Sequence, residues 1–240
     1  MSVDQALLRA QRIITPTEKR TMMTESFRRV KRHILANAVR ADRASRKNLV
    51  MITSALPGEG KTFCAINLAM SLAMEIDRTV MLVDTDFEKR SIPAALGLDV
   101  GTPRGFVDVI ADSSLTLADV LLKTDIGKLT VLPAGTPHAH TTELVAGDVT
   151  ATLLREMADR YDDRIILFDS APLLAASESC ALAPHMGQIV LVVEAGKTTE
   201  KVVKEALESV ASCNVAGVLL NKGAPSRARG EYGYGYGAAE

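Results

Sequence analysis

No stretch of this chain approaches the roughly 18 consecutive apolar residues of a membrane span. A spanning helix is therefore excluded, and any membrane association is expected to come through a partner. The first residues carry Asp4, Arg9 and Arg12 where a secretory leader would have an apolar core, so no leader is expected. Cysteine is scarce. Cys64, Cys180 and Cys213 lie far apart with no CxxC pair, which argues against a disulfide framework or zinc site and reads as buried thiols in a reducing cytoplasm. Net charge is also lacking. Twenty-eight basic residues face 29 acidic ones, so nothing pulls the chain globally toward nucleic acid or anionic lipid. The basic residues are nonetheless uneven: Arg28, Arg29, Lys31, Arg32, Arg40, Arg43, Arg46 and Lys47 crowd one region.

What is present points to one large α/β domain. Apolar residues make up 47 % of 240, enough for a sizeable core. Short apolar runs at 49–53, 80–83, 129–132, 165–168, 189–193 and 215–220 are continuous rather than alternating, as in strands buried on both faces. Helical patterns at 62–74, 115–122, 150–161 and 199–211 separate most of them. In the last, Val203, Ala206, Leu207 and Val210 share a face. Repeated β-then-α order predicts a mostly parallel sheet with helices on both sides. Ahead of it, residues 1–20 read as a loose arm. A helix is expected over 21–39, with Phe27, Val30 and Ile34 on its apolar face and Glu25, Arg28, Arg29 and Arg32 opposite. Residues 1–47 thus form an arm and basic helix of the same domain, 48–222 the core, and 223–240 a flexible tail.

The strongest signal is Ala55-Leu56-Pro57-Gly58-Glu59-Gly60-Lys61-Thr62, set between a strand and a helix. This is the context of a P-loop. Its glycines let backbone N–H groups close around phosphate oxygens, and the helix directs its positive end at the same anion. Lys61 is expected to face solvent and reach the β- and γ-phosphates, with Thr62 placing its hydroxyl on Mg²⁺. We assign ATP binding to Pro57, Gly58, Glu59, Gly60, Lys61, Thr62 and Phe63. Ala55 replaces the first glycine of the usual pattern.

Two further strands end in acids, at Asp84-Thr85-Asp86 and Asp169-Ser170. Ligands of open α/β sheets bind at the carboxyl ends of strands, so all three acids should share the P-loop edge. Mg²⁺ takes carboxylates together with phosphate oxygens, and two acids at i, i+2 repel unless a cation is near. Asn221 ends the last strand. Its amide suits an adenine edge, and the alternative is a turn asparagine before Gly223.

Only four tyrosines occur, and Tyr232, Tyr234 and Tyr236 lie in the last ten residues, separated by single glycines. A glycine-rich terminus buries little, so packing does not explain them. A mobile tail with exposed phenols suits a phosphorylation substrate, and each phosphate adds about −1.5 to −2 charge.

Together these segments resemble the bacterial tyrosine kinases (BY-kinases) of capsule and exopolysaccharide synthesis. The likeness runs from about Glu25 to the tail. It implies Walker A, A′ and B motifs at the loop, at Asp84-Thr85-Asp86 and at Asp169-Ser170-Ala171-Pro172, with autophosphorylation of the tail. It implies Mg²⁺ on Thr62, Asp86 and Asp169. It gives Asp84 as acceptor of the tyrosine proton, with Asp86 the alternative. Glu25, Arg28 and Lys31, with Arg32 beside them, match a helix motif that the family uses in subunit contacts. The implied partners are copies of the chain in a ring, a transmembrane activator of the polysaccharide co-polymerase type and a phosphotyrosine phosphatase. The chain departs from the family at Glu88, where an arginine is usual, with Lys89 and Arg90 following. Two other readings share the fold. One is a positioning ATPase, against which Leu56 stands where those proteins carry lysine. The other is a nucleotide-driven scaffold that phosphorylates nothing.

Overall fold

The computed structural model describes residues 1–16, 21–39, 45–160 and 163–223. In chain order the elements are α1 (Gln5–Ala10), α2 (Met22–Val39), β1 (Leu49–Ser54), α3 (Lys61–Ala73), β2 (Thr79–Thr85), α4 (Ile92–Ala95), α5 (Phe106–Ala111), α6 (Leu117–Val120), β3 (Leu122–Lys123), β4 (Leu129–Leu132), α7 (Thr141–Ala146), α8 (Asp148–Arg160), β5 (Arg164–Ser170), α9 (Ser177–Leu182), β6 (Gln188–Glu194), α10 (Glu200–Glu208) and β7 (Val215–Asn221).

Among these residues the strands form one sheet of order β3-β4-β2-β5-β1-β6-β7. Every pairing is parallel except β3 with β4. The order places β5 between β1 and β2. Their three carboxyl ends are therefore neighbours, although more than a hundred residues separate β1 from the end of β5. Asp84 stands opposite Asp169, and Ile52 opposite Asp169 on the other side.

The continuous apolar runs are explained by burial on both faces. Along β1, Leu49 and Met51 pack toward α5, α7, α8 and α9, while Val50 and Ile52 pack toward α2 and α3. On α2, Phe27 and Ile34 are buried, and Val30 is half-buried.

Three expectations need correction. Residues 1–16 are not a loose arm. Val3, Leu8, Ile13 and Ile14 are buried in the α2–α3 face. The Asp4 carboxylate caps α1 by accepting from the Ala6 and Leu7 amides, and the Asp4 amide donates to the Leu96 carbonyl at 3.1 Å. The segment is too short for its helical period to show in an 11–18-residue window. The helix expected over 115–122 shrinks to α6, because Leu122 leaves it to pair with Val131 as the antiparallel edge strand. Of the three thiols only Cys64 is fully buried.

Candidate active site

β1 ends at Ser54 and α3 begins at Lys61, so the six residues between form the loop at the carboxyl edge of the sheet. Gly58 and Gly60 have φ of 87° and 94°, the left-handed region that glycine occupies without strain. At Gly60 space matters too, since a Cβ there would lie 2.2 Å from Asn221 Nδ2.

The loop is held from behind. The Glu59 side chain, 2 % exposed, accepts from the Leu56 amide at 2.7 Å, the Glu194 amide at 3.3 Å and the Thr198 hydroxyl. Asn221 Nδ2 donates to the Glu59 carbonyl at 2.9 Å, and Lys222 Nζ donates to the Gly58 carbonyl at 2.7 Å. Glu59 thus turns its carboxylate into the fold, while Asn221 directs its amide donor at the loop. Phe63 packs edge-on against Phe27, with ring centroids 6.3 Å apart.

Lys61 is not solvent-facing. It is 5 % exposed, and its Nζ lies 2.5 Å from Asp86 Oδ2, 3.4 Å from Thr62 Oγ1 and 3.9 Å from Asp169 Oδ1. The structure thus brings Lys61, Thr62, Asp86 and Asp169 together from three separate turns. Asp84 is beside them and fully buried. Its oxygens accept from the Asp86 amide at 3.2 Å and the Ile92 amide at 3.0 Å. Burial, with Asp169 repulsion second, pushes the Asp84 carboxyl up to about 7 despite those amides. Burial likewise raises Asp169 to about 6, with Lys61 opposing. The Cys64 thiol is pushed up to about 12, mainly by burial, which makes it unreactive near neutral pH.

Neither Asp169 oxygen has a hydrogen-bond partner at close range, although Thr62 and Lys61 stand near enough to hold its carboxyl down against burial. A buried carboxylate so loosely paired is costly unless a further cation completes it. Among the described residues no three His, Cys, Asp or Glu side chains converge to hold a metal alone. Mg²⁺ takes carboxylate and hydroxyl oxygens together with phosphate oxygens and water. Thr62, Asp86 and Asp169 fit such an ion.

Glu88 is exposed, whereas Arg90 turns back through a left-handed conformation (φ 45°) closed by its amide on the Asp86 carbonyl at 2.8 Å. Its Nε is buried without a partner. Sequence reasoning missed the Glu59 brace and the Lys222 tether because their partners lie 135–164 residues away. For Arg90 a signal existed in the basic pair just after Glu88.

On α2, Glu25 and Arg28 pair with each other at 2.6 Å, and Arg32 is exposed. Lys31, expected with them at a subunit contact, is instead buried within its own chain. Its Nζ lies 2.5 Å from Glu75 Oε1 and 3.0 Å from the Ser71 carbonyl at the end of α3. Tyr232, Tyr234 and Tyr236 lie outside the described residues. No helix among the described residues is long and apolar enough to cross a membrane.

No family model matches the chain. Individual proteins do. "Tyrosine-protein kinase YwqD" of Bacillus subtilis (strain 168) is 31 % identical over 230 residues, covering 95 % of this chain and 92 % of that one. "Succinoglycan biosynthesis transport protein ExoP" of Rhizobium meliloti (strain 1021) is 32 % identical over 89 % of this chain, which spans only 26 % of that larger protein. Among solved structures, the kinase domain of the Escherichia coli tyrosine kinase ETK superposes with a TM-score of 0.72 at 25 % identity, covering 96 % of this chain and 98 % of that one.

Proposed function

The chain belongs to the bacterial tyrosine kinase family, and on that premise we propose that it moves the γ-phosphoryl group of ATP onto the tyrosines of its own tail. It is a tyrosine-protein kinase with a P-loop nucleotide-binding fold. The observation that carries the proposed site is the meeting of Lys61, Thr62, Asp86 and Asp169 at one buried point.

In this reading the phosphates lie in the cradle of residues 57–62, and Lys61 is shared between Asp86 and the β- and γ-oxygens. Thr62, Asp86 and Asp169 hold Mg²⁺, which when bound neutralises phosphate charge. The tyrosine oxygen bonds to the γ-phosphorus, the bond to the β-phosphate oxygen breaks, and ADP leaves. The phenolic proton goes to Asp84. Its raised affinity for a proton suits acceptance near neutral pH, and each oxygen keeps a lone pair beyond its amide contact. A purely positioning Asp84 is the second reading, favoured by its full burial. In that case Asp84→Asn lowers the rate without changing its pH profile.

The tail reading rests on Tyr232, Tyr234 and Tyr236 with their glycine spacers. A flexible chain of the length of 222–231 would reach roughly 5–6 Å times the square root of its number of residues, enough for either a neighbouring subunit or the chain's own site. We place the target site on such a neighbour, within a homo-oligomer to which Glu25, Arg28 and Arg32 contribute. Control of exopolysaccharide synthesis belongs to the same proposal, supported by the name of the relative ExoP, and a transmembrane activator and a phosphatase are proposed with it. Phosphosite mapping after incubation with Mg-ATP tests the tail. Mixing Lys61→Met protein with active protein lacking residues 231–240 tests transfer between subunits. Phosphotyrosine is expected on the Lys61→Met chain, and its absence there means that transfer occurs within one subunit.

A further inference from the structure

We infer that a cleft beside the Asp86 turn is the acceptor site, and that Arg90 makes it selective for a tyrosine with an anion next to it. The inference rests on the kinase reading above and deepens it. The cleft has a volume of about 490 Å³, within the usual range of small-ligand pockets. Three turns wall it: Phe87 and Arg90 follow β2, Ala171 and Ala176 follow β5, and His138 and Thr142 lead into or lie in α7.

Its place in the sheet gives the direction of attack. The phosphate loop follows β1 and is braced from β6 and β7 through Glu194 and Asn221. The cleft is walled by the turns after β2 and β5 and by the approach to α7, and the Lys61–Asp86–Asp169 cluster is built from the turns after β1, β2 and β5, so the two share the segments 86–90 and 169–171. Phosphoryl transfer needs the incoming and leaving oxygens roughly in line. With the leaving group in the cradle, an oxygen entering past these shared turns would reach the γ-phosphorus from the cleft.

The lining suits a phenol ring. Small side chains at Ala171, Ala175 and Ala176 leave width beside Phe87. Each tail tyrosine has glycine after it, and two have glycine before it, so an extended segment enters with few Cβ clashes. At the rim, Glu178 already accepts from the Thr142 hydroxyl at 2.6 Å. His138 Nδ1 accepts from the His140 amide at 3.1 Å, which in the neutral ring leaves the proton on Nε2. Arg90 is the group without an assignment. Its Nε is buried and unpartnered, and its backbone is held left-handed. A guanidinium fork in that position matches a carboxylate or a phosphate.

The tail offers both anions. Glu231 precedes Tyr232, and a phosphate on one tyrosine lies two residues from the next. In an extended segment residues i and i+2 share a face about 6.7 Å apart, which suits the phosphate, whereas the adjacent Glu231 meets Arg90 only if the segment turns between it and Tyr232.

The test uses the full chain with all three tail tyrosines changed to Phe, supplied with the peptide of residues 231–240 in three forms: unmodified, Glu231→Gln, and singly phosphorylated at Tyr234. Arg90→Ala should raise the peptide KM roughly tenfold, the scale of one charge-assisted contact, and leave the ATP KM unchanged. The Glu231→Gln form should be weaker from the start and indifferent to Arg90 if the anion is the carboxylate. Tighter use of the phosphorylated form, lost in Arg90→Ala, would identify the phosphate. Ala176→Phe should fill the cleft and abolish peptide use while ATP still binds. Unchanged peptide KM in both variants overturns the assignment. Calorimetry separates it from the kinase reading. If the parent transfers no phosphate at all, that reading fails, but weaker peptide binding by both variants still supports the cleft. Equal binding by all three proteins overturns it.

Discussion

The two banks of the active edge are built on opposite principles. On the β1–β6–β7 side the loop is held by internal partners: Glu59 accepts from three donors, Asn221 supports its carbonyl and Lys222 ties the Gly58 carbonyl. On the β2–β5 side polar groups are left waiting. Asp169 is buried with no close hydrogen bond to either oxygen, Lys61 standing off at 3.9 Å, and Arg90 Nε is buried without a partner. A satisfied bank holds its shape before a ligand arrives, as a phosphate cradle must. An unsatisfied bank carries a cost that arriving opposite charges would remove. Lys61 joins the two, rooted in the loop and paired to Asp86.

Breaking that joint should have the largest effect. Lys61→Met is expected to lower tyrosine phosphorylation by about a thousandfold or more, the scale of losing a main electrostatic group in the transition state. It should also lower the melting temperature without ligand, because Asp86 is left buried beside Asp84 and Asp169. Phosphotyrosine blotting and thermal circular dichroism measure the two. Retained phosphorylation would break the comparison at its centre.

The unsatisfied bank predicts a pH dependence. Asp84 and Asp169 are raised in the fold, so the folded state holds more protons than the unfolded one. Their stabilising contribution is full below the unfolded carboxyl value and is lost as pH rises through about 6 for Asp169 and about 7 for Asp84. Between pH 5 and 8 the ligand-free protein should lose on the order of 3 kcal/mol from these groups. Denaturant titrations at both pH values test this, and flat stability would mean that the two acids are solvated. Asp169→Asn should abolish part of that slope and stabilise the ligand-free protein at pH 8. The same change should weaken nucleotide binding roughly tenfold with Mg²⁺ present and far less without it. Calorimetry that finds equal losses would make Asp169 a structural residue.

The satisfied bank should respond differently. Glu59→Gln puts an amide donor among three donors and should cost about 1–3 kcal/mol at any pH, with a higher ATP KM. A pH-dependent loss would show that Glu59 belongs functionally with the other bank. The smallest effect on stability is expected for Glu25→Ala with Arg28→Ala, since the pair is partly exposed. Sizing with Mg-ATP should nonetheless shift toward monomer, and an unchanged profile would leave the pair a solvated feature of α2.

Much of the satisfied bank was legible in advance because its signals are local. The loop spacing, the strand before it and the helix after it are consecutive in the chain. The strand-end acids were legible for the same reason: an apolar run followed by Asp marks a carboxyl end whatever its neighbours. The braces were not. Glu59 reads as one more loop residue until Thr198 and Glu194 come to it from the β6–α10 turn, and Lys31 reads as surface charge until Glu75 at the end of α3 meets it. The packing of residues 1–16 escaped notice because Val3, Leu8, Ile13 and Ile14 follow no single period.

By itself, then, the sequence determined the class of sheet, the phosphate loop, the three acids that share its edge and the tyrosines of the tail, since each depends on residue type and spacing over a few positions. Tertiary structure alone decided the rest. It set β5 between β1 and β2, so that Asp169 faces Asp84. It buried Lys61, tied the root of the tail to the loop through Lys222 and turned Arg90 into the cleft. The physical reason is that burial and partnership are properties of a place in space. Residues far apart in the chain meet there only once the sheet has closed around them.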